Sequence, residues 1–489
     1  MATRPFPGTI RDAGKRASFS ALLGVWAAAV GLAPTLEAKL LAIAAPTAAL
    51  AWWTLVHPER WLALFFFCAL LLPPLPFPFG NAGIHVAPLA ALLGIAAGIL
   101  RVRAWRIRDF GTHRILATTF LVFPVILLLS VAFAAVYSGW EIAAESLVRV
   151  LLLGISAYIF LYALAGPRGD SLDTLAFTRM LFGFALAGAV FACADFYFQF
   201  PAPAGYGGQF IWLEKTVLRR AQGVFYESST LGNFCAFFLV MTLVLAFLRK
   251  ERSQPRIISG GMLLTGAAIF TAALILSASR ASVVTVVVAS IVLLFMQRAR
   301  RTIIGSRVIV VTGLSLAAAA LTIRLTLPEF AAHYWTRTVA SVQNFGSAPD
   351  AVLSGRLTHW RVLTDFVLQH PWHIIFGIGY KTLPYTNYLG SSVVADNTYL
   401  SLLVETGIAG LSVFLFWNIA ILRAAYRAAR SRSARASFFG LWIFCFWCGE
   451  LVQMLSGDLI TYWRVLPVYF WVLAAALRES TGPSTAEID

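Results

Sequence analysis

Four short stretches place ionisable side chains where long apolar runs begin or end. Arg219 and Arg220 precede Ala-Gln-Gly-Val-Phe-Tyr-Glu-Ser-Ser-Thr, which brings Glu227 in close behind them. Arg280 stands in Leu-Ser-Ala-Ser-Arg-Ala-Ser, a tight turn between two apolar runs. Arg356, His359 and Arg361 share the stretch Ser-Gly-Arg-Leu-Thr-His-Trp-Arg, and Asp396-Asn397-Thr398-Tyr399 leads from a polar segment into another apolar run.

The arginines point to an anion. A guanidinium donates in a planar fork that suits phosphate or pyrophosphate, and it stays charged when partly desolvated. The carboxylates Asp396 and Glu227, and the imidazole of His359, are groups that take a proton from a hydroxyl. Each residue also has an ordinary reading: arginines snorkel to headgroups or sit solvated in a loop, and Asp396 is well placed as a helix N-cap ahead of Asn397 and Thr398. His333, His359, His370 and His373 offer no pair at i, i+4 beside a glutamate, so no metal site is expected and a structural or lining role is favoured. No phosphate-cradling GxxxxGK[ST] loop occurs, and Gly377-Ile-Gly379 is too short for a dinucleotide fingerprint. No cofactor is expected. Cys445-Phe-Trp-Cys448 lies in an apolar run, where packing is the expected role, and all five cysteines lie in such runs, so no disulfide framework is expected.

The elements that must hold these residues are transmembrane helices. Of 489 residues 59% are hydrophobic and 12% charged, about half the charge of a soluble domain. Backbone polar groups in lipid are satisfied only by helices or a closed barrel, and the runs lack the two-residue alternation of barrel strands. The expected fold is therefore an all-α polytopic bundle of about 12 to 14 transmembrane helices, at about 20 residues per span. Basic clusters at Arg101–Arg114, Arg249–Arg256, Arg298–Arg307 and Arg423–Arg435 are separated by even numbers of candidate spans. All four can then face the cytoplasm, with 201–229 and the long segment 328–397 on the periplasmic side. The expected plan is transmembrane helices over 1–200, 230–327 and 398–478, two outer loops, and a disordered cytoplasmic tail at 479–489. The net charge of +16 reads as topogenic and lipid-facing, with no nucleic-acid partner.

The motifs, in order, resemble the O-antigen ligase and polysaccharide polymerase superfamily. Its signature of His, then Asn, Ser or Gln, nine residues, Gly, two residues and Gly, Thr or Tyr is matched by Asn397, Thr398 to Thr406, Gly407 and Gly410, with Asp396 where ligases usually have His. Arg220-Ala-Gln-Gly223 resembles the family's Arg-x-x-Gly, Ser279-Arg280 its second arginine site, and His370-Pro371 through Gly377-Ile-Gly379-Tyr380 its proline and glycine turn. The resemblance implies glycosyl transfer from an undecaprenyl-pyrophosphate-linked oligosaccharide, at the periplasmic face of the bacterial inner membrane, without metal or nucleotide. At the matched positions Arg220 and Arg280 are the expected leaving-group clamps and Asp396 the expected base, and Arg219, Glu227, Arg356, His359, Arg361, Asn397 and Tyr399 are the expected substrate-binding residues, with Glu227 and His359 as competing bases. The acceptor would be another lipid-linked repeat for a polymerase, or lipid A core or protein for a ligase. The Asp-Asn form and Glu227-Ser-Ser favour a polymerase. A lipid-linked-glycan transporter is the third reading, raised by Arg149, Arg179, Arg324 and Arg464 near or within spans.

Overall fold

The computed structural model describes residues 51–481, apart from 55, 57–59, 76–77, 80–81, 107–110, 168–172, 203–207, 215, 249–256, 300–312, 314–316, 318–319, 345, 348–349 and 351–354. The basic amino-terminal tail, the first expected span and the charged segments 249–256 and 300–307 fall outside the described residues. The helices, in chain order, are α1 (Arg60–Leu71), α2 (Ala87–Leu100), α3 (Arg114–Ser138), α4 (Trp140–Ala165), α5 (Thr174–Phe198), α6 (Ser228–Leu248), α7 (Gly260–Leu276) and α8 (Arg280–Ala299). After these come α9 (Pro328–Gln343), α10 (Arg356–Gln369), α11 (Pro371–Phe376), α12 (Thr398–Ala429), α13 (Ala434–Gln453) and α14 (Leu466–Thr481). Two small antiparallel hairpins, β1 (Pro78–Phe79) with β2 (Ala82–Gly83) and β3 (Phe210–Trp212) with β4 (Val217–Arg219), are additions to the all-α plan.

Among the described residues six helices, α3, α4, α5, α6, α12 and α13, are long and apolar enough to cross a membrane. Four shorter apolar helices, α1, α2, α7 and the first part of α8, accompany them. That falls short of the expected 12 to 14, part of which rests on residues 1–50 and 300–319. The helices face both ways, as a membrane bundle must. In α3, Ile115, Leu121, Val125, Leu129 and Val136 are all more than half exposed, an apolar stripe that water would not tolerate and hydrocarbon would. In α14 every residue from Leu466 to Leu477 is buried, so this helix is the centre of the bundle. It packs on α4, α12 and α13, and Phe120, Trp417 and Phe470 knit α3, α12 and α14 together with ring centroids 4.8 to 5.5 Å apart.

A string of polar side chains runs inside this apolar shell. Asn233 of α6 donates to Glu450 of α13 at 2.7 Å and accepts from the Tyr469 hydroxyl at 2.6 Å. Thr285 of α8 donates to Gln453 at 2.6 Å, Gln453 donates to Ser282 at 3.3 Å, and Ser282 meets Ser279 at 2.8 Å. Where apolar contacts alone cannot choose a register against lipid, such bonds select how α6, α8, α13 and α14 sit.

One end of the bundle gathers the starts of α4, α6, α8, α12 and α14 and the ends of α3, α5, α7 and α13. The chain crosses there from helix to helix: Ala221 N–H donates to Leu276 O at 3.1 Å, and Thr398 N–H to Met454 O at 2.9 Å. Arg101–Arg106 and the α12–α13 turn lie at the opposite end, where Arg106 N–H donates to Ala165 O and Arg435 pairs with Asp173 at 3.7 Å.

Candidate active site

The β3–β4 hairpin aims two neighbouring arginines in different directions, because successive residues leaving a strand point to opposite faces. Arg219 pairs with Asp195 of α5 at 2.6 Å and donates to Phe200 O at 2.7 Å, and its backbone N–H donates to Gln199 Oε1 at 2.8 Å. Arg220 points the other way, donating from Nε to Ser277 O at 2.8 Å, while its own N–H holds Gln209 O at 2.8 Å. Gly223 then turns the chain at φ 57°, where an added Cβ would stand 2.8 Å from that of Ala192. The Arg-x-x-Gly spacing is thus a turn pressed against α5. Arg464, buried between spans, clamps this loop by donating to the Val224 carbonyl and, at 2.7 and 2.8 Å, to Ala69 O and Leu72 O at the end of α1. Arg149 and Arg179 are likewise bonded, to the Tyr385 hydroxyl and to Ile257 O.

Ser277 belongs to the α7–α8 turn, which holds Ala278 at φ 51° and starts α8 at Arg280. An open recess lined by Ile211, Ala278, Arg280, Phe330, His333, Tyr334, Arg337 and Thr338 separates this turn from α9. Burial lowers the Arg220 guanidinium to about 10, helped by the charge of Arg337 and then of Arg280 and Arg356, with Tyr462 opposing. Arg337 and Arg356 act on Arg280 as well. Four arginines from four separate segments therefore share one field, although like charges so gathered repel unless an anion neutralises them. Arg337 was missed in the sequence; its signal was an arginine on an amphipathic helix within the long loop.

Two carboxylates adjoin this cluster. Ser229 Oγ donates to Glu227 Oε2 at 2.9 Å. Burial raises the Glu227 carboxyl, with the charge of Asp396 adding to it, against the Ser229 bond and the charges of Lys381 and Arg220. Asp396 accepts from Arg356 Nε at 3.1 Å and sits at φ 42°, a left-handed backbone. The capping reading of Asp396 is corrected here. The N-cap of α12 is Asn397, whose Oδ1 accepts from Tyr399 N–H at 3.0 Å and Leu400 N–H at 3.1 Å, because Asn397 has the extended backbone that a cap needs and Asp396 does not. Tyr399 turns inward and donates from its hydroxyl to Leu451 O at 3.0 Å.

The segment before Asp396 is fixed by α10. His359 Nδ1 lies 3.0 Å from Val394 O, and Trp360 Nε1 donates to Ala395 O at 2.8 Å, while Arg361 on the same helix is exposed. Lys381, at φ 56° and fully inside, forms a salt bridge with Asp458. Burial pushes its ammonium down to about 8 against the pull of Glu405.

The glycine turn has its own cause. Gly407, at φ 69° and ψ −172°, breaks α12 after two turns, which leaves carbonyls without their usual helical partners. Ile378 N–H reaches Val404 O at 3.1 Å and Gly379 N–H reaches Glu405 O at 2.9 Å, satisfying them from the side. His370 and His373 pack with Phe366, Tyr137 and Tyr388 in a ring cluster. Among the described residues no three His, Cys, Asp or Glu side chains are grouped to hold a metal.

Comparison with known proteins places part of this arrangement. A sequence model described as O-antigen ligase matches residues 265–415, which run from α7 through Arg280, Arg337, Arg356, the glycine turn and Asp396 into α12, and leave Arg220 and Glu227 outside. No curated protein matches. The matched stretch supports the resemblance read in the motifs: residues 265–415 are similar to the O-antigen ligase family, in a chain with six helices long and apolar enough to cross a membrane among the described residues.

Proposed function

We propose that this protein transfers a glycan from undecaprenyl pyrophosphate to a sugar hydroxyl at the periplasmic face, polymerising surface polysaccharide repeat units. The observation that carries the reading is the convergence of Arg220, Arg280, Arg337 and Arg356 beside Glu227 and Asp396. The acceptor oxygen attacks the anomeric carbon, the bond from that carbon to the phosphate oxygen breaks, and undecaprenyl pyrophosphate departs with the bonding electrons. The arginines stabilise the charge that grows on the leaving pyrophosphate, where a fixed field is most effective. Glu227 takes the acceptor proton: its raised carboxyl is nearer working pH, as general-base efficiency requires. Asp396, engaged by Arg356, positions that arginine, which moves the base from the residue that the motif suggested to its neighbour across the site.

Sidedness follows from charge. The basic segments at Arg101–Arg106 and Arg427–Arg435 lie at the end of the bundle away from the arginine cluster, and the positive-inside rule puts them in the cytoplasm of the inner membrane. Single cysteines at Gly346 and Gly390 should react with an impermeant maleimide in spheroplasts, and one at Ser431 should not.

The direct test is a purified assay with the undecaprenyl-pyrophosphate-linked repeat as sole substrate. A ladder spaced by one repeat is the expected product, unchanged by chelator. A requirement for lipid A core would make the enzyme a ligase instead.

A further inference from the structure

Displacement at a carbon needs the leaving group on one side and the nucleophile on the other. Besides the arginine cluster, a second set of residues gathers next to Glu227 around Tyr226. Tyr226, the residue before Glu227, is 43% exposed and Tyr385 is 38% exposed. The guanidinium of Arg149 stands 4.7 Å over the Tyr385 ring and bonds its hydroxyl. Tyr226 lies within the electrostatic reach of Glu227, Tyr385 and Arg149 together. Arg149 acts in turn on Lys381, which also senses Glu227 and Asp396.

We propose that Tyr226, Tyr385 and Arg149 form the subsite that holds the acceptor saccharide, presenting its hydroxyl to Glu227. Half-exposed tyrosine rings offer apolar faces to the C–H face of a pyranose, and a guanidinium with five N–H donors offers hydrogen bonds to its hydroxyls. The position of Tyr385 is built rather than incidental. Its N–H donates to Thr382 O at 2.9 Å, and the next residue, Thr386, accepts from Ser138 at the end of α3 at 2.9 Å. Arg149 approaches from α4, so three segments fix the pair. Tyr226 directly precedes the carboxylate that the reaction uses.

The inference rests on the glycosyl-transfer reading, and two probes separate them. One is undecaprenyl pyrophosphate, which reports the arginine side. The other is the repeat-unit oligosaccharide released by mild acid from the cell's own lipid-linked pool, which carries no pyrophosphate and reports the acceptor side. With purified protein in nanodiscs, Tyr226→Ala, Tyr385→Ala and Arg149→Gln are each expected to weaken oligosaccharide binding about tenfold or more. Their affinity for undecaprenyl pyrophosphate should stay within twofold, about the scatter of such measurements, which also shows that they are folded. Tyr226→Phe and Tyr385→Phe, which keep the ring, should lose less than the alanine variants. Wild-type oligosaccharide affinity in all three truncations overturns the subsite while leaving the donor reading intact. Wild-type protein that binds undecaprenyl pyrophosphate and not the oligosaccharide also overturns it, and protein that binds neither overturns the transfer reading itself.

Discussion

Gly377 and Gly407 meet backbone to backbone: a Cβ on Gly377 would strike the Glu405–Thr406 peptide, and one on Gly407 would strike the Ile375–Phe376 peptide. Both have φ near 70°, where an L side chain costs about 1–2 kcal/mol before any clash. Gly377→Ala or Gly407→Ala should therefore reduce folded protein sharply, measured as the monodisperse peak in detergent size exclusion. A normal peak for Gly407→Ala would mean that the loop moves aside.

The two carboxylates make different demands on a mutation. Glu227→Gln removes the base and should cost about 10² to 10⁴ in turnover, the usual range for such a loss, with undecaprenyl-pyrophosphate binding kept. Asp396→Asn keeps an acceptor for Arg356 Nε and should lose less. If the order is reversed in a purified transfer assay, Asp396 is the base.

The pH profile carries a sign that can be checked. Glu227 must be ionised to accept a proton, and burial raises its carboxyl above the usual 4.5. Activity should then fall on its acid limb at a higher pH than an ordinary glutamate would give. The Ser229 bond opposes that rise, so Ser229→Ala should move the acid limb of kcat further up in pH. A limb that stays in place, or moves down, assigns it to another group.

Arg337 is the residue whose role the sequence concealed. If it shares the pyrophosphate with Arg280, Arg337→Lys and Arg280→Lys should each lose most transfer activity, because a single ammonium cannot reproduce the bidentate fork. Arg219→Lys, a change in the Asp195 ion pair, should act on stability more than on turnover. Equal kinetic losses in all three would dissolve the distinction.

How much of this was legible beforehand varied with the kind of physics involved. Hydrophobicity is a sum over residues, so the helical bundle with helices of membrane-crossing length could be read directly. The number of spans is less legible where a helix is interior: α14 runs only from Leu466 to Thr481 and is buried from Leu466 to Leu477, so its length need not match a bilayer's thickness. Arg219 and Arg220 looked equivalent because adjacency in sequence hides the alternation of a strand, yet one faces Asp195 and the other Ser277. Asp195, an acid within an apolar span, was the available hint. The exchange of roles between Asp396 and Asn397 turned on one backbone angle, φ 42°, which residue type alone does not set. The glycines of the turn were visible as a motif, but their cause, two freed carbonyls in α12, exists only once the helix is broken.

Arg464 bears on the order of synthesis. It holds the Val224 carbonyl, 240 residues earlier in the chain, and the Ala69 carbonyl, 395 residues earlier. The loop with Arg220 and Glu227 is thus fastened by a side chain that leaves the ribosome after the segments it joins. Every arginine and both carboxylates of the site are in the membrane before that moment, yet the loop that carries the base lacks its clamp. A nascent chain stalled short of Arg464 would carry those side chains without the clamp that joins the Val224 loop to the end of α1.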